Sequence, residues 1–233
     1  MPDCWSDVDR VPELLARVER RDDPEAWKEL GWRLVLEHDL VSPASFASLP
    51  RLVRLAAHSA EARALAGRIL ARPAGRHGCD DLLAGCAAVI AKFGEVLDRH
   101  LRSRPADYLA SFLALLAVRG EYHWANVLEG FTDDIIRVEC PHCGVEVTIA
   151  VGGFGCYAQV WDGPEEIRRD LRAADAGELT GTGRWMHGIC VRDGQRALAD
   201  GIGHLFGSAE CPGCAGVFNV ADEYSCANRP VMW

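Results

Sequence analysis

A mainly α protein with a small β module towards its C-terminal end is the fold class the sequence predicts. Three observations predict it. Residues 11 to about 130 carry one amphipathic helical pattern after another, joined by short links. From about residue 132 the texture changes to β-branched, alternating runs, "IIRVEC" and "VEVTIAV". Two Cys-Pro-X-Cys stretches, at 140–143 and 211–214, frame this second region.

The totals agree with a globular chain. Its 233 residues suit one large domain or two small ones, and 49% are hydrophobic, enough for a proper core. No run approaches the roughly 18 apolar residues of a membrane span. The start, "MPDCWSDVDR", lacks a basic, then apolar, signal segment, so the cytoplasm is the expected compartment. Ten cysteines in a reducing compartment favour metal binding over a disulfide framework. The net charge is -9, divided as -4 over residues 1–135 and -5 over 136–233. Neither half is basic, which weighs against nucleic acid as a partner.

The elements follow in order. "DPEAWKELGWRLVLEHDL" has Asp23 as N-cap, Pro24 at the first helical position, and Trp27, Leu30, Leu34 and Val35 on one face. "SPASFASLPRLVRLAAH" starts the same way with Ser42 and Pro43, and Pro50 is expected to bend or divide it. "SAEARALAGRIL" starts at Ser59, and "CDDLLAGCAAVIAKFGEVLDRHL" reads as one long helix. "PADYLASFLALLAVRG" and "EYHWANVLEGF" follow. In the second region, "GGFGCYAQVWDG" reads as a Gly-rich loop or edge strand and "PEEIRRDLRAADA" as a short helix. "GELTGTGRWMHG" reads as loop, and "RDGQRALADGIGHLFG" as helix.

The segments around 24–38, 43–57 and 59–71 resemble HEAT-like or armadillo-like helical hairpins, with an irregular bundle as the alternative. "VSPASFASLPRLVRLA", followed by helical pairs and two cysteine knuckles, is similar to uncharacterised helical-repeat proteins of high-GC bacteria. That resemblance implies a fold and no activity.

"CPHCG" at 140–144 matches "CPGCAG" at 211–216. A CxxC turn lets two thiolates and nearby backbone N–H groups converge, and two such turns make a tetrahedral Cys4 site. The stretches around 134–152 and 208–222 resemble a zinc ribbon. The expected ligands are Cys140, Cys143, Cys211 and Cys214, holding one structural Zn2+ per chain. The departure is the gap of 67 residues between Cys143 and Cys211, read as an insert with helices at about 153–207. A thioredoxin-type CxxC opens a helix, whereas a strand follows each doublet here. Iron–sulfur clusters also take four cysteines, but the paired Cys-Pro-X-Cys turns favour zinc.

Other residues are weighed against ordinary packing. Cys156, Cys190 and Cys226 are more often small buried hydrophobes than nucleophiles. His142, between paired cysteines, is expected to face solvent. "GTGRWMHGIC" (181–190) sets Arg184, Trp185 and His187 among glycines, a pattern that suits a ligand or an anchoring loop. "GEYHWANVLEGFTDD" (120–134) joins the two regions and offers His123 and Trp124. "EHD" at 37–39 is a weak acid–base pattern. No G-x-S-x-G, P-loop or H-E-x-x-H is present.

The expected organisation is a HEAT-like helical domain at 1–131 and a zinc-ribbon-like module at 132–233. The expected function is a zinc-binding, non-enzymatic interaction module, for instance an immunity-type protein with a basic partner. The alternative is an enzyme of specialised metabolism with a structural zinc. Its site would lie at the junction and use His123, Trp124, Arg184, Trp185 and His187 on a small molecule. No membrane partner is expected.

Overall fold

The computed structural model describes residues 8–35, 41–71, 80–128, 135–162 and 165–227. Among them are eleven α-helices and six strands, every strand lying after residue 134. The chain divides into two compact units, Met1–Glu129 and Gly130–Trp233. None of the described helices is long and apolar enough to cross a membrane. The "EHD" pattern and residues 129–134 lie outside the described residues, as does the side chain of Cys226.

The first unit is helical throughout. After a 3-10 turn come α1 (Val11–Arg20), α2 (Pro24–Leu34), α3 (Pro43–Leu55) and α4 (Ala60–Leu70). Then follow α5 (Asp80–Gly85), α6 (Ala87–Arg102), α7 (Tyr108–Val118) and α8 (Tyr122–Val127). The caps form as their residues dictate. The Asp23 carboxylate accepts from the Ala26 amide (3.2 Å) and the Ser59 hydroxyl from Ala62 (3.1 Å). Trp27, Leu30, Leu34 and Val35 are buried together with Phe46, Leu49, Leu52 and Val53 of α3.

One expectation is narrowed here and one is corrected. Helix α3 runs through Pro50 without dividing. Pro50 has no N–H to offer the Phe46 carbonyl four residues back, and the Cys86 thiol donates to that carbonyl instead, at 3.7 Å. The long helix breaks at Cys86, whose φ of -93° and ψ of 2° separate α5 from α6. Gly85 weakens the helix at that point, and the turn carries the Cys86 thiol to α3.

The second unit opens with a four-stranded antiparallel meander. Its strands are β1 (Ile135–Glu139), β2 (Glu146–Gly152), β3 (Gly155–Asp162) and β4 (Glu165–Asp170), in sheet order β1-β2-β3-β4. Helices α9 (Gly181–Arg192) and α10 (Arg196–Leu205) follow. A second hairpin, β5 (Ser208–Glu210) with β6 (Val217–Asn219), leads into α11 (Val220–Ala227). One sheet face, carrying Ile136, Val138, Val147, Ile149, Val151, Ala158 and Val160, is buried. Helix α10 packs on β2 and α11 on β1.

Three readings of this region are corrected. Within "GGFGCYAQVWDG", "GCYAQVWD" forms β3, an interior strand flanked by β2 and β4, after a turn at 153–154. "EEIRRD", read as helix, is strand β4, with Ile167 opposite Val160 and Arg169 opposite Ala158. Pairing with β3 overrides a local pattern that also suits a helix. "GTGRWMHG", read as loop, belongs to α9. Gly183 serves packing, since a Cβ there would stand 2.7 Å from the Phe206 ring, whereas Gly181 and Gly188 have open space around them. Gly183, Met186 and Cys190 form its buried stripe. The segment between the knuckles therefore holds β3 and β4 as well as two helices.

Candidate metal centre

Each cysteine doublet is the turn of a hairpin. Cys140 and Cys143 lie between β1 and β2, above the pair Glu139–Glu146. Cys211 and Cys214 lie between β5 and β6, above Glu210–Val217. The two turns share one hydrogen-bond scheme. The Cys140 amide donates to the Val145 carbonyl (2.9 Å) and the Gly144 amide to the Cys140 carbonyl (2.8 Å). In the second turn, Cys211 donates to Gly216 (2.9 Å) and Ala215 to Cys211 (2.8 Å). The fifth position of each turn takes the left-handed region, Gly144 at φ 73° and Ala215 at φ 59°. Glycine accepts this freely, and alanine does so at a cost.

The four thiol sulfurs lie within 4.8 Å of one another. Cys140 Sγ is 3.8 Å from Cys214 Sγ, and Cys143 Sγ is 3.9 Å from Cys211 Sγ. A tetrahedron with metal–sulfur bonds of about 2.3 Å has an edge of about 3.8 Å. The sulfurs therefore already stand at the spacing of a tetrahedral thiolate site, and the group can hold a metal ion compatible with zinc. Cys140 and Cys211 are buried, while Cys143 and Cys214 are exposed. Each turn thus contributes one inner and one outer ligand.

The acidities of these thiols follow from their surroundings. Burial opposes ionisation of Cys140, but the backbone N–H groups of His142 and Cys143 outweigh it and bring this thiol down to about 7. Burial pushes Cys211 up. The Gly216 amide favours a thiolate at Cys214, yet the neighbouring thiols, Cys143 first, outweigh it and push it up to about 12. A thiolate is thus favoured at Cys140 and opposed at Cys211 and Cys214. A divalent ion among the four sulfurs reverses that resistance and releases protons as it binds.

His142 is exposed, as expected, and it also makes a contact that the spacing did not announce. Its ring reaches across to the second turn, where Nε2 pairs with the Val217 carbonyl at 2.9 Å. The same ring lies over Gly216, where an added Cβ would come within 2.7 Å of His142 Cγ. The two turns therefore touch through side chain and backbone as well as through sulfur. Spacing alone did not reveal this, because the signal lies in the pairing of His142 with a glycine 74 residues away.

The remaining candidates fall on different elements of the two units. His123 and Trp124 lie on α8 in the first unit, their rings edge to face at 4.8 Å. Arg184, Trp185 and His187 lie on α9 in the second unit, Arg184 exposed and the other two half-buried. Cys156 is half-buried in β3, and Cys190 is fully buried on α9. His204 pairs through Nδ1 with the Asp200 carbonyl of its own helix, at 3.0 Å. Among the described residues, the four-cysteine group is the one cluster of metal-ligating side chains. No family model, curated protein or solved structure matches the chain, so nothing in these comparisons links its helices to HEAT-like repeats or to high-GC bacteria.

Proposed function

We propose that this chain is a non-catalytic, cytoplasmic protein-interaction module whose second unit is folded around one structural Zn2+. Cys140, Cys143, Cys211 and Cys214 hold the ion, in a zinc-ribbon-like module at 132–233 carried by a HEAT-like helical domain at 1–131. The observation that carries the reading is the set of four sulfurs within 4.8 Å, drawn from two matching turns. Four thiolates fill a tetrahedral site and leave no position for water, so such an ion supplies folding energy and no chemistry. The net charge of -9 suits a basic partner, in the manner of an immunity protein that neutralises a toxin by tight binding.

Elemental analysis and X-ray absorption on the purified chain test the metal. One zinc with four sulfur neighbours supports the reading. A mixed sulfur–nitrogen shell, or one with a water ligand, overturns it in favour of an open site. Affinity capture from native lysate tests the partner: a basic protein in stoichiometric complex is expected, and its absence sinks the partner half of the proposal.

A further inference from the structure

The sheet β1–β4 has a second face, and α10 and α11 do not cover it. The register assigns its residues in rows. One row runs Arg137, Thr148, Gln159, Arg168, and the next Ile135, Ala150, Tyr157, Asp170. Nearer the knuckle stand Glu139 opposite Glu146, and Trp161 opposite Glu166. Trp161 is 65% exposed. Its indole N–H donates to the Gln159 side-chain oxygen (3.1 Å), and the Gln159 amide donates to Glu166 (3.0 Å). Arg168 also bonds Glu166 and lies over the Tyr157 ring, 4.2 Å from its centre. Gln159 is buried beneath this network, which fixes the exposed indole in one orientation.

Two features of this surface work against the isolated fold. A large indole is left in water, and two glutamates face each other directly across a strand pair, a destabilising arrangement. Arg137 stands 3.9 Å from Glu146, and Glu139 has no ion-pair partner among the described residues. Rules broken together in one place mark a site used for something other than stability. Trp, Tyr and Arg are also the residues that dominate protein interfaces.

We infer that this sheet face is the docking surface for a basic segment of a partner protein, with a guanidinium or ammonium group lying on Trp161 between Glu139, Glu146 and Glu166. The inference rests on the interaction-module reading and names its surface. Charge chooses the occupant. The face carries four carboxylates, Glu139, Glu146, Glu166 and Asp170, against two guanidiniums, Arg137 and Arg168. Arg168 and Glu166 engage each other, which leaves Glu139, Glu146 and Asp170 against Arg137. A phosphate backbone would be repelled here, whereas a cation gains both the indole face and the carboxylates.

The test uses the full, metal-loaded chain and a fluorescein-labelled nona-arginine peptide. A nona-glutamate peptide and an oligo-dT of equal length serve as comparisons. Binding is read by anisotropy at physiological ionic strength. W161A and the double variant E139Q/E146Q are each expected to weaken nona-arginine binding at least tenfold. E13Q/E25Q removes the same charge from exposed positions of the helical unit and is expected to change it less than twofold. Metal content verifies that each variant is folded. The inference is overturned by absence of nona-arginine binding, by equal losses in the two double variants, or by tighter binding of oligo-dT. A native basic partner that binds W161A as tightly as the unaltered chain would overturn this surface while leaving the module reading standing.

Discussion

The first unit buries Phe46, Phe93 and Phe112 among a run of leucines. The second buries Val147, Ile149, Met186, Ile202 and Leu205, with Phe218 its one buried aromatic residue among those described. Cys140 and Cys211 are part of that second core. Helices that present Leu and Phe stripes to one another gain enough from burial alone. The β5–β6 pairing, three residues a side, buries little of its own, and there a metal held by the sulfur cluster would, on our reading, supply the difference. One chain thus contains a unit held by packing beside a unit held, on our reading, by an ion.

The largest expected effect breaks this contrast outright. Structural zinc sites supply on the order of 10 kcal/mol or more of folding energy. Chelation, or Cys211→Ala, should therefore abolish hydrogen-exchange protection in β1, β2, β5 and β6 while α1 to α8 keep theirs. Rebinding at pH 7 should release more than one proton, since thiols of the unfolded segment, at their ordinary value of about 8.5, are mostly protonated before the ion binds. Metal affinity should accordingly rise with pH, as calorimetry in buffers of different ionisation enthalpy would record. The mirror experiment is Phe112→Ala, at a fully buried ring of α7. It should cost about 3–5 kcal/mol in the first unit and leave metal stoichiometry unchanged.

Smaller effects sharpen the comparison. Ala215→Gly relieves the left-handed backbone of the second turn. It should stabilise the second unit by about 0.5–1 kcal/mol, after the entropy glycine adds to the unfolded chain. Denaturant titration of the metal-loaded chain would show the gain there and none in the first unit. Burial holds the His123 imidazole below its ordinary range, so the folded unit favours the neutral ring. That contribution is complete above the unfolded value of about 6.5 and is lost as pH falls through the lower folded value. Urea titrations of the first unit at pH 7.5 and 5 should show a smaller acid loss in His123→Gln than in the unaltered chain.

What could be read from sequence was whatever a short stretch decides for itself. Asp23 before Pro24 and Ser59 before an Ala-rich helix announce their caps, because the cap bond spans three residues. The two Cys-Pro-X-Cys turns are equally local, and they pointed to the four sulfurs that cluster. The misread stretches depend on distant partners. "EEIRRD" becomes a strand because β3 is there to pair with it. "GTGRWMHG" misleads because its Gly183, which reads as a loop residue, sits inside a helix where the Phe206 ring occupies the space a Cβ would need. The break at Cys86 and the continuity of α3 through Pro50 meet in one thiol–carbonyl contact across 40 residues. The exposed face of the sheet could not be assembled before strand order and register were known.

The separation of the two cysteine turns also has a consequence in time. Synthesis adds about 5–20 residues per second, so several seconds pass between the appearance of Cys143 and that of Cys211. During that interval the first turn exists as an incomplete chelator. If its amides are already in place, the N–H groups of His142 and Cys143 favour the Cys140 thiolate, the nucleophilic form. On the zinc reading, the nascent chain therefore passes through a stage of chemical vulnerability that ends when the second turn arrives and completes the four-sulfur group.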